Sequence, residues 1–518
     1  MNNLLELQKQ FETTTSAEQR KLKGQFFTPP EIAQFMAGLF SLPIPKTFRL
    51  LDPGAGIGAL SSAFCNHVRQ LRTSRRLEIH LFESDEGLLP SLRQSMEISK
   101  QSLAAAGHSL FYSIHEGKDF IIDVAAEVFG EPSLFSQKSA LGEFDGVIMN
   151  PPYFKLNKNS EYARVMKEVV HGQPNIYAFF LAAAAQLLRP GGEMVAITPR
   201  SFCNGLYFRD FRRSFFDRMS LDRIHLFESR TGNFRDVLQE SLITVSRRGE
   251  QKSDITISTS YGPELTRPAT RELPAQLILD KTSVDQIVKI PAGKEDSEIM
   301  ATVESWPHHF EDLGLRVSTG PVVSFRATQF LLDEANGNTT APLISIYSVR
   351  PFKTVWPNPN KKHPAALQVC PASMRLLLPT RNYVLLRRFS AKEEPRRLTA
   401  SCFLKADQKR TYVALENHLN YVYHAERELT VNETYGLAAL FNSALLDRYF
   451  RTISGNTQVN ATELRTMNFP DLKTLASIGK DIQPILEGAS STEIERIVLK
   501  QLGVGESVES HLIDGMLL

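Results

Sequence analysis

The residue types needed to bind a planar amino group occur together in one run, Asn150-Pro151-Pro152-Tyr153. The run follows residues 144–149, whose apolar character predicts a buried strand. Two prolines remove backbone donors and fix an extended turn, which aims the Asn150 side-chain oxygen and the Pro151 carbonyl into one space. These two acceptors match the two hydrogens of an –NH2 group, and the Tyr153 ring can stack on a flat heterocycle. The alternative is a strand-ending turn with a buried tyrosine.

A glycine-rich segment, residues 51–58, follows an earlier predicted strand and precedes a predicted helix. Gly54, Gly56 and Gly58 allow a sharp turn and close approach of a ligand to the backbone, where the N–H groups of the next helix face it. Asp52 precedes these glycines and no Walker lysine follows them. The pattern therefore excludes a P-loop and favours a dinucleotide or S-adenosylmethionine site. The alternative is a tight turn that binds nothing.

The next predicted strand, residues 78–84, ends in Phe82-Glu83-Ser84-Asp85. A carboxylate at that position, after a glycine turn on the preceding strand, lies where the ribose diol of a nucleotide-type cofactor would bind. We therefore predict that Glu83 contacts the cofactor. The alternative is an ordinary surface acid.

Short apolar runs that alternate with helical stretches predict an open α/β sheet of parallel strands buried on both faces. These runs are residues 48–53, 78–84, 144–150, 193–199, 222–228 and 240–247. Residues 177–188 are apolar apart from Gln186, but the stretch is far shorter than the roughly 20 residues of a membrane span, so it predicts a buried helix.

The pattern changes along the chain and predicts four segments. Residues 1–24 form a polar helical lead, and residues 25–250 form the α/β domain. Residues 251–300 are polar and mixed, which predicts a linker or a bridging hairpin. Residues 301–518 form a second domain, in which strand-like pieces such as residues 322–327 come first and helices follow.

The chain has 518 residues, 42% hydrophobic and 22% charged, which is the composition of a globular protein rather than a disordered, collagenous or coiled-coil one. The N-terminus predicts neither a signal peptide nor a transit peptide. The four cysteines form no CxxC pair, so we expect no disulfide framework, no metal site and a cytoplasmic location. Residues 345–412 hold 14 Lys and Arg against 3 Asp and Glu, a net +11, whereas the rest of the chain holds 45 against 54. One module is therefore expected to face phosphates.

These motifs together resemble the γ-class adenine-N6 DNA methyltransferases of restriction-modification systems, in particular the TaqI, PstI and BsuBI-like group. The residues that carry the resemblance keep the family's order. Besides residues 51–58, Glu83 and the Asn-Pro-Pro-Tyr run, they are residues 24–29 (Gly-Gln-Phe-Phe-Thr-Pro), Asp119-Phe120, Asn175-Ile176-Tyr177, Pro190-Gly191-Gly192, Phe234, residues 441–446 and Phe469-Pro470.

The resemblance implies a Rossmann-like S-adenosylmethionine-dependent methyltransferase sheet followed by a mixed α+β target-recognition domain. It implies cofactor contacts at Thr28, Pro29, Asp52, Pro53, Gly54, Gly56, Gly58, Glu83, Ser84, Asp119, Phe120 and Asn150. It implies catalytic roles for Asn150, Pro151, Pro152, Tyr153 and Phe234, with Phe227 as the alternative to Phe234 as the aromatic that holds the flipped base.

The expected activity is transfer of a methyl group to the N6 atom of an adenine flipped out of double-stranded DNA, which protects that DNA from a cognate restriction endonuclease. The endonuclease is expected to be a functional rather than a physical partner. We expect a monomer that needs no metal, with no membrane partner. The sequence does not identify the recognition site, for which similarity to the group suggests CTGCAG.

The basic residues expected to contact DNA lie in the second domain. They are Lys361, Lys362, Arg387, Arg388, Arg396, Arg397, Lys409 and Arg410. The alternative for this segment is a solvated basic face. Two other functions also fit: a methyltransferase acting on RNA or a protein glutamine amide, and a non-catalytic specificity subunit that binds DNA. A fused nuclease is not expected. Glu116-Gly117-Lys118 is a minimal Glu-x-Lys string of the kind found in nucleases, but it lies inside the predicted sheet.

Overall fold

The computed structural model describes residues 27–517 apart from 42, 126–140, 158, 168–174, 228–240, 261–264, 266–267, 292, 294, 358–362, 391–393 and 455–457. The chain divides into two compact units, Met1–Val288 and Lys289–Leu518. The expected helical lead, residues 1–24, lies outside the described residues. None of the helices in the described ranges combines the length and the apolar character that crossing a membrane requires.

Nine strands described in the first unit form one sheet. They are β1 (Thr47–Asp52), β2 (Arg76–Glu83), β3 (Ser109–Glu116), β4 (Phe144–Met149), β5 (Leu188–Pro199), β6 (Met219–Phe227), β7 (Ser241–Arg248), β8 (Asp254–Ser260) and β9 (Ala269–Pro274). Their order is β3-β2-β1-β4-β5-β7-β6-β8-β9. The order reverses direction between β1 and β4, and in open α/β sheets ligands bind beyond the carboxyl ends of the strands at such a point.

The strands form where apolar runs can be buried on both faces. Leu50 and Leu51 of β1 and Val147, Ile148 and Met149 of β4 are all 0% exposed. Helices pack against the sheet and cover these residues. Those described are α1 (Pro30–Ala37), α2 (Ala59–Arg69), α3 (Leu89–Ala105), α4 (Glu161–Val165), α5 (Ile176–Leu187), α6 (Arg209–Phe216) and α7 (Ala275–Ile278). Helix α5 is the buried helix that its apolar sequence predicts.

Two sequence-based expectations for this unit need correction. Strand β7 is antiparallel to both β5 and β6, although an all-parallel sheet was expected. Residues 251–300 are not a linker, because β8 and β9 pair as an antiparallel hairpin and extend the sheet through β6. The hairpin alternative is therefore closer to the structure, and the boundary between the units falls after Val288.

The second unit is built on short strands arranged mainly in two sheets, ordered β11-β21-β18-β19-β15-β14 and β12-β16-β13-β20-β17, with a separate β10-β22 pair. The strands are β10 (His308–His309), β11 (Leu315–Thr319), β12 (Leu331–Leu332), β13 (Thr340–Ile344), β14 (Val349–Arg350), β15 (Phe352–Thr354), β16 (Ala366–Gln368), β17 (Leu377–Pro379), β18 (Tyr383–Arg387), β19 (Ala400–Phe403), β20 (Tyr412–Leu415), β21 (Leu419–His424) and β22 (Asn468–Phe469). Residues 322–327, expected as a strand, contain a 3-10 turn over Ser324–Arg326 instead.

Helices make up most of the C-terminal part of this unit. They are α8 (Glu295–Glu304), which precedes the strands, and α9 (Val431–Asn442), α10 (Ala444–Ile453), α11 (Ala461–Arg465), α12 (Leu472–Ile482), α13 (Ser491–Gln501) and α14 (Glu506–Leu517). Helices α9 and α12 pack backbone to backbone. A Cβ atom on Gly436 would collide with the Leu475 carbonyl, and one on Gly479 with the Asn432 carbonyl, so this crossing requires glycine.

Candidate active site

A cavity of about 400 Å³ opens beyond the carboxyl ends of β1, β2 and β4. Its volume lies within the range typical of small-molecule sites. Three phenylalanine rings form a continuous apolar part of its wall: Phe82 lies 5.2 Å from Phe120, and Phe120 lies 5.5 Å from Phe180, between ring centroids. Polar groups from the ends of three strands, including Glu83 and Asn150, face the same space.

The glycine turn and the end of β2 are joined by the Glu83 carboxylate. Its two oxygens accept hydrogen bonds from the backbone N–H groups of Gly56, at 2.8 Å, and Asp85, at 2.7 Å. Gly56 and Gly58 have φ of +55° and +83°, which favours glycine at both positions. Burial raises the pKa of Glu83, and the two backbone donors oppose that shift. The carboxylate thus fixes the turn and retains acceptor capacity toward the cavity.

Asp52 lies behind the turn rather than in the cavity wall. Its side chain is 0% exposed, and its Oδ2 atom accepts a hydrogen bond of 2.7 Å from the Ser61 hydroxyl in the first turn of α2. Burial raises the pKa of Asp52 to about 7, although the Ser61 hydroxyl and the Gly54 backbone oppose the shift. Asp52 therefore holds the start of α2.

This pKa predicts a pH-dependent stability. The unfolded chain loses the Asp52 proton near pH 3.8 and the folded chain near pH 7. Because the folded chain binds more protons between these values, the free energy of unfolding falls as pH rises through this window. Asp52→Asn removes the ionisation, so we expect its stability relative to wild type to rise by at most about 3 kcal/mol between about pH 5 and about pH 8. Urea unfolding at both pH values measures this, and a constant difference would contradict it.

The Asn150 amide is held at both ends. Its Nδ2 atom donates to Thr28 Oγ1 at 3.0 Å, and its Oδ1 atom accepts from the Tyr153 hydroxyl at 2.5 Å. The same hydroxyl lies 2.9 Å from the Ile197 carbonyl, a second acceptor. Burial raises the pKa of Tyr153, so the hydroxyl keeps its proton. These contacts orient the side-chain oxygen of Asn150 within the cavity wall.

The other end of the cavity is formed by Asp119, Phe120 and Tyr162. Asp119 Oδ1 accepts from the backbone N–H groups of Ile121 and Ile122, at 2.9 and 3.0 Å. Asp119 Oδ2 accepts from the Tyr162 hydroxyl at 2.6 Å. The backbone thus occupies one oxygen and the Tyr162 hydroxyl binds the other, and all three residues line the cavity.

Nine of the residues predicted as site residues line this cavity. They are Pro53, Gly54, Gly56, Glu83, Ser84, Asp119, Phe120, Asn150 and Pro152. Six others are not among the lining residues: Thr28, Pro29, Asp52 and Gly58, expected as cofactor contacts, and Pro151 and Tyr153, expected as catalytic residues. Phe234 lies outside the described residues. Its alternative, Phe227, is half-buried at the end of β6 with its ring 5.0 Å from His225.

Several wall residues were not among the site residues expected from the sequence. Tyr162 and Phe154 follow the Asn-Pro-Pro-Tyr run, and Phe27 precedes Thr28 in the segment carrying the resemblance. Phe180 could have been found, because the apolar helix α5 follows the run and must pack beneath the sheet edge. The other positions depend on loop conformations that no local pattern determines.

The basic residues expected to contact DNA differ in accessibility. Lys361 and Lys362 lie outside the described residues. Arg387 donates to the Val349 carbonyl, and Arg396 lies 3.9 Å from Glu495. Lys409 and Arg410 line an open groove of about 690 Å³ with Arg381, Lys405 and Arg427. Groups of three or more potential metal-binding side chains are absent from the described part of the chain.

Arg397 is a wrong prediction. Its side chain is 1% exposed, its guanidinium donates to the Ser454 carbonyl at 3.1 Å, and its Cζ atom lies 5.3 Å from the Phe450 ring. A guanidinium enclosed in this way cannot reach a phosphate. The charge pattern of the sequence predicted a DNA contact wrongly, because charge alone does not distinguish an exposed arginine from one whose guanidinium is paired within the protein.

Comparisons with known proteins agree with this geometry. A family model described as Eco57I restriction-modification methylase matches residues 72–234. The chain is 35% identical to the type II methyltransferase M.BsuBI of Bacillus subtilis, over 91% of this chain and 92% of that protein. It is 32% identical to the type II methyltransferase M.PstI of Providencia stuartii, over 93% of each chain.

The fold also has a counterpart among solved structures. The type IIL restriction-modification enzyme MmeI, solved in complex with DNA, aligns with a TM-score of 0.50 at 10% identity, over 99% of this chain and 74% of that chain. The predicted α/β methyltransferase fold with a mixed second domain is confirmed. Because the identity to M.BsuBI extends over nearly the full length of both proteins, the chain belongs to the family of type II methyltransferases of restriction-modification systems.

Proposed function

We propose that the chain transfers a methyl group from S-adenosylmethionine to the N6 atom of an adenine in double-stranded DNA, at a specific site. The observation that supports this most is the Asn150 amide, which is held by Thr28 and Tyr153 and lines the cavity together with the glycine turn. In this proposal the first unit catalyses the transfer and the second recognises the target sequence. Methylation protects the site from a cognate endonuclease, which acts separately.

The cavity fits S-adenosylmethionine in size and in chemistry. Glu83 offers carboxylate oxygens suited to the ribose hydroxyls. In this proposal Asp119 Oδ2, which accepts from the Tyr162 hydroxyl, also accepts from the adenine amine through its second lone pair. Phe82, Phe120 and Phe180 offer apolar surface for the adenine ring. When bound, the cofactor supplies an electrophilic methyl group on a positively charged sulfur.

The residues of this chain act on the target amine. Its nitrogen is a weak nucleophile because the lone pair is delocalised into the adenine ring. Accepting its two hydrogens with Asn150 Oδ1 and the Pro151 carbonyl concentrates electron density on the nitrogen as it attacks the methyl carbon. The bond from that carbon to sulfur breaks with its electron pair going to sulfur, and the methylated nitrogen then loses one proton to solvent. The Tyr153 hydroxyl can transfer its hydrogen bond from Asn150 to the Ile197 carbonyl, so Oδ1 becomes available without leaving a buried hydroxyl unpaired.

The target adenine must leave the duplex before its N6 atom can enter the cavity. Flipping costs a few kcal/mol, and stacking in the site offsets that cost. We propose that the Tyr153 ring contacts one face of the base and that Phe234 contacts the other.

Substrate class is tested by incubating the chain with labelled S-adenosylmethionine and plasmid DNA, total RNA or a cell protein extract. The proposal predicts label in DNA alone. Label in RNA or on a protein glutamine would favour the alternative methyltransferase functions. DNA binding without transfer to any of the three would favour a non-catalytic specificity subunit.

Thr28 provides a finer test of the Asn150 geometry. Thr28 is 4% exposed and its hydroxyl accepts from Asn150 Nδ2, so Thr28→Val removes a group that fixes the amide while nearly preserving the shape of the side chain. We expect the single-turnover rate to fall by about 10–100-fold. The Kd for S-adenosylmethionine should change little, because Thr28 does not line the cavity.

The conservative variant Thr28→Ser serves as the control and should restore the rate, since it retains the hydroxyl. A wild-type rate for Thr28→Val would contradict this role. A loss of rate explained entirely by weaker cofactor binding would also contradict it. That result would instead support the cofactor contact at Thr28 that the family resemblance implies.

A further inference from the structure

One surface of the second unit carries two exposed phenylalanine rings, each beside an arginine. Phe325 is 75% exposed, and the Arg326 Cζ atom lies 5.3 Å from its ring centroid. Phe389 is 38% exposed, and the Arg388 Cζ atom lies 5.8 Å from its ring centroid. The His418 ring packs edge-on against Phe389, with centroids 5.0 Å apart. We name these five residues the aromatic–arginine patch.

The Phe325 half of the patch is held by the turn that follows β20. Ser324 Oγ donates to Glu416 Oε1 at 3.0 Å, and the Asn417 N–H donates to the Val322 carbonyl at 2.8 Å. These bonds fix the residues on the N-terminal side of Phe325. The Phe325 ring therefore projects from a fixed 3-10 turn, and its exposed surface contributes nothing to packing within the unit.

The Phe389 half is held by the same turn. The Arg388 N–H donates to the His418 carbonyl at 2.9 Å, and its guanidinium donates to the Asn417 carbonyl at 3.1 Å. The turn thus holds Arg388 directly, contacts the Phe389 ring through His418, and binds the residue that precedes Phe325. A surface that is ordered before binding loses little conformational entropy when a partner docks.

The charges around the patch indicate the kind of partner. Arg326 and Arg388 bring two guanidinium groups to the patch, against one carboxylate, that of Glu416, which lies 3.4 Å from His418 Nδ1; residues 345–412 carry a net +11. Exposed guanidinium groups bind phosphates, and exposed aromatic rings stack on nucleic-acid bases or pack on sugars. A protein-binding surface would depend more on a continuous apolar area than on cations beside single rings.

We propose that the aromatic–arginine patch contacts duplex DNA, with the Phe325 ring against a base or sugar and the arginines against phosphates. The inference rests on the proposed function, since it assigns the DNA contact to a surface of the second unit. It adds Phe325, Arg326, Phe389 and His418 to the residues expected from the sequence, which included Arg388 but none of these four.

Fluorescence anisotropy with a short labelled duplex, taken from plasmid DNA that the wild-type protein methylates, tests the proposal over a series of salt concentrations. We expect Phe325→Ala to bind about tenfold more weakly at every salt concentration with an unchanged salt slope, since it removes stacking and no charge. Arg326→Gln should reduce the slope of log affinity against log salt by about one.

Phe111→Ala is the matched control. Phe111 is a 54% exposed phenylalanine of β3 with the Arg76 Cζ atom 4.5 Å from its ring, but it lies in the first unit outside the patch. Its affinity and salt slope should equal those of wild type. Because the side chains of Phe325, Arg326 and Phe111 are exposed, we expect each variant to fold. Thermal unfolding checks this.

Wild-type affinity and slope in both Phe325→Ala and Arg326→Gln would overturn the inference while leaving the proposed function intact. Sedimentation that shows a wild-type dimer abolished by Phe325→Ala, with unchanged DNA affinity, would overturn it in favour of a second copy of the chain. Failure of the wild-type protein to bind or methylate DNA would instead contradict the proposed function.

Discussion

Replacing Asn150 with alanine is expected to reduce methyl transfer by at least about 10²–10³-fold while S-adenosylmethionine still binds. The substitution removes Oδ1, one of the two acceptors proposed for the target amine. It also removes the amide to which Thr28 and Tyr153 form hydrogen bonds. The glycine turn, Glu83 and Asp119 form their contacts independently of Asn150. Single-turnover transfer of labelled methyl to plasmid DNA measures the rate, and isothermal titration measures cofactor affinity.

Asn157→Ala is the matched control for this prediction. Asn157 follows the same run, but its side chain is exposed and its Oδ1 atom accepts a local hydrogen bond of 3.0 Å from the Asn159 N–H. It should retain the wild-type rate. An Asn150→Ala protein that transfers methyl at the wild-type rate would refute the proposed mechanism.

Replacing Glu83 with alanine is expected to weaken S-adenosylmethionine binding by about 100-fold, because hydrogen bonds to charged groups contribute about 1.5–3 kcal/mol each. The change removes the acceptor proposed for the ribose hydroxyls. It also leaves the Gly56 and Asp85 N–H groups without the carboxylate that fixes them, so the glycine turn loses its anchor. Titration calorimetry with S-adenosylmethionine and S-adenosylhomocysteine measures the loss, which should be similar for both because both contain the ribose.

Glu86→Ala is the control, since Glu86 is an exposed acid three residues further along that does not line the cavity. Its cofactor affinity should match wild type. If Glu83→Ala bound the cofactor as tightly as wild type, the assignment of the strand end of β2 to the ribose would be wrong.

The parts of the site that could be predicted from sequence are those at the ends of buried strands. Glu83 and Asn150 each follow an apolar run, and the carboxyl ends of parallel strands meet at one sheet edge, so their proximity follows from the fold class alone. Gly56 and Gly58 were likewise recognisable because few other residues tolerate their positive φ angles.

The parts that could not be predicted depend on contacts between distant segments. The hydrogen bond from Asn150 to Thr28 spans 122 positions, and the Tyr162 hydroxyl reaches Asp119 across 43. The polar, mixed sequence of strands β8 and β9 has a weak strand pattern and predicts a linker or a hairpin equally well; pairing with β6 decides for the hairpin. Arg397 was misassigned because its burial is determined by helix α10, which lies about 50 residues away along the chain.

The identity of the modified nucleoside tests the central claim most directly. Plasmid DNA methylated by the chain with labelled S-adenosylmethionine would be digested to nucleosides and separated by liquid chromatography with mass detection. The account predicts that the label is found in N6-methyladenine, because the Asn150 oxygen and the Pro151 carbonyl are proposed to bind the adenine amine. Label in N4-methylcytosine or 5-methylcytosine, or DNA without label, would contradict it.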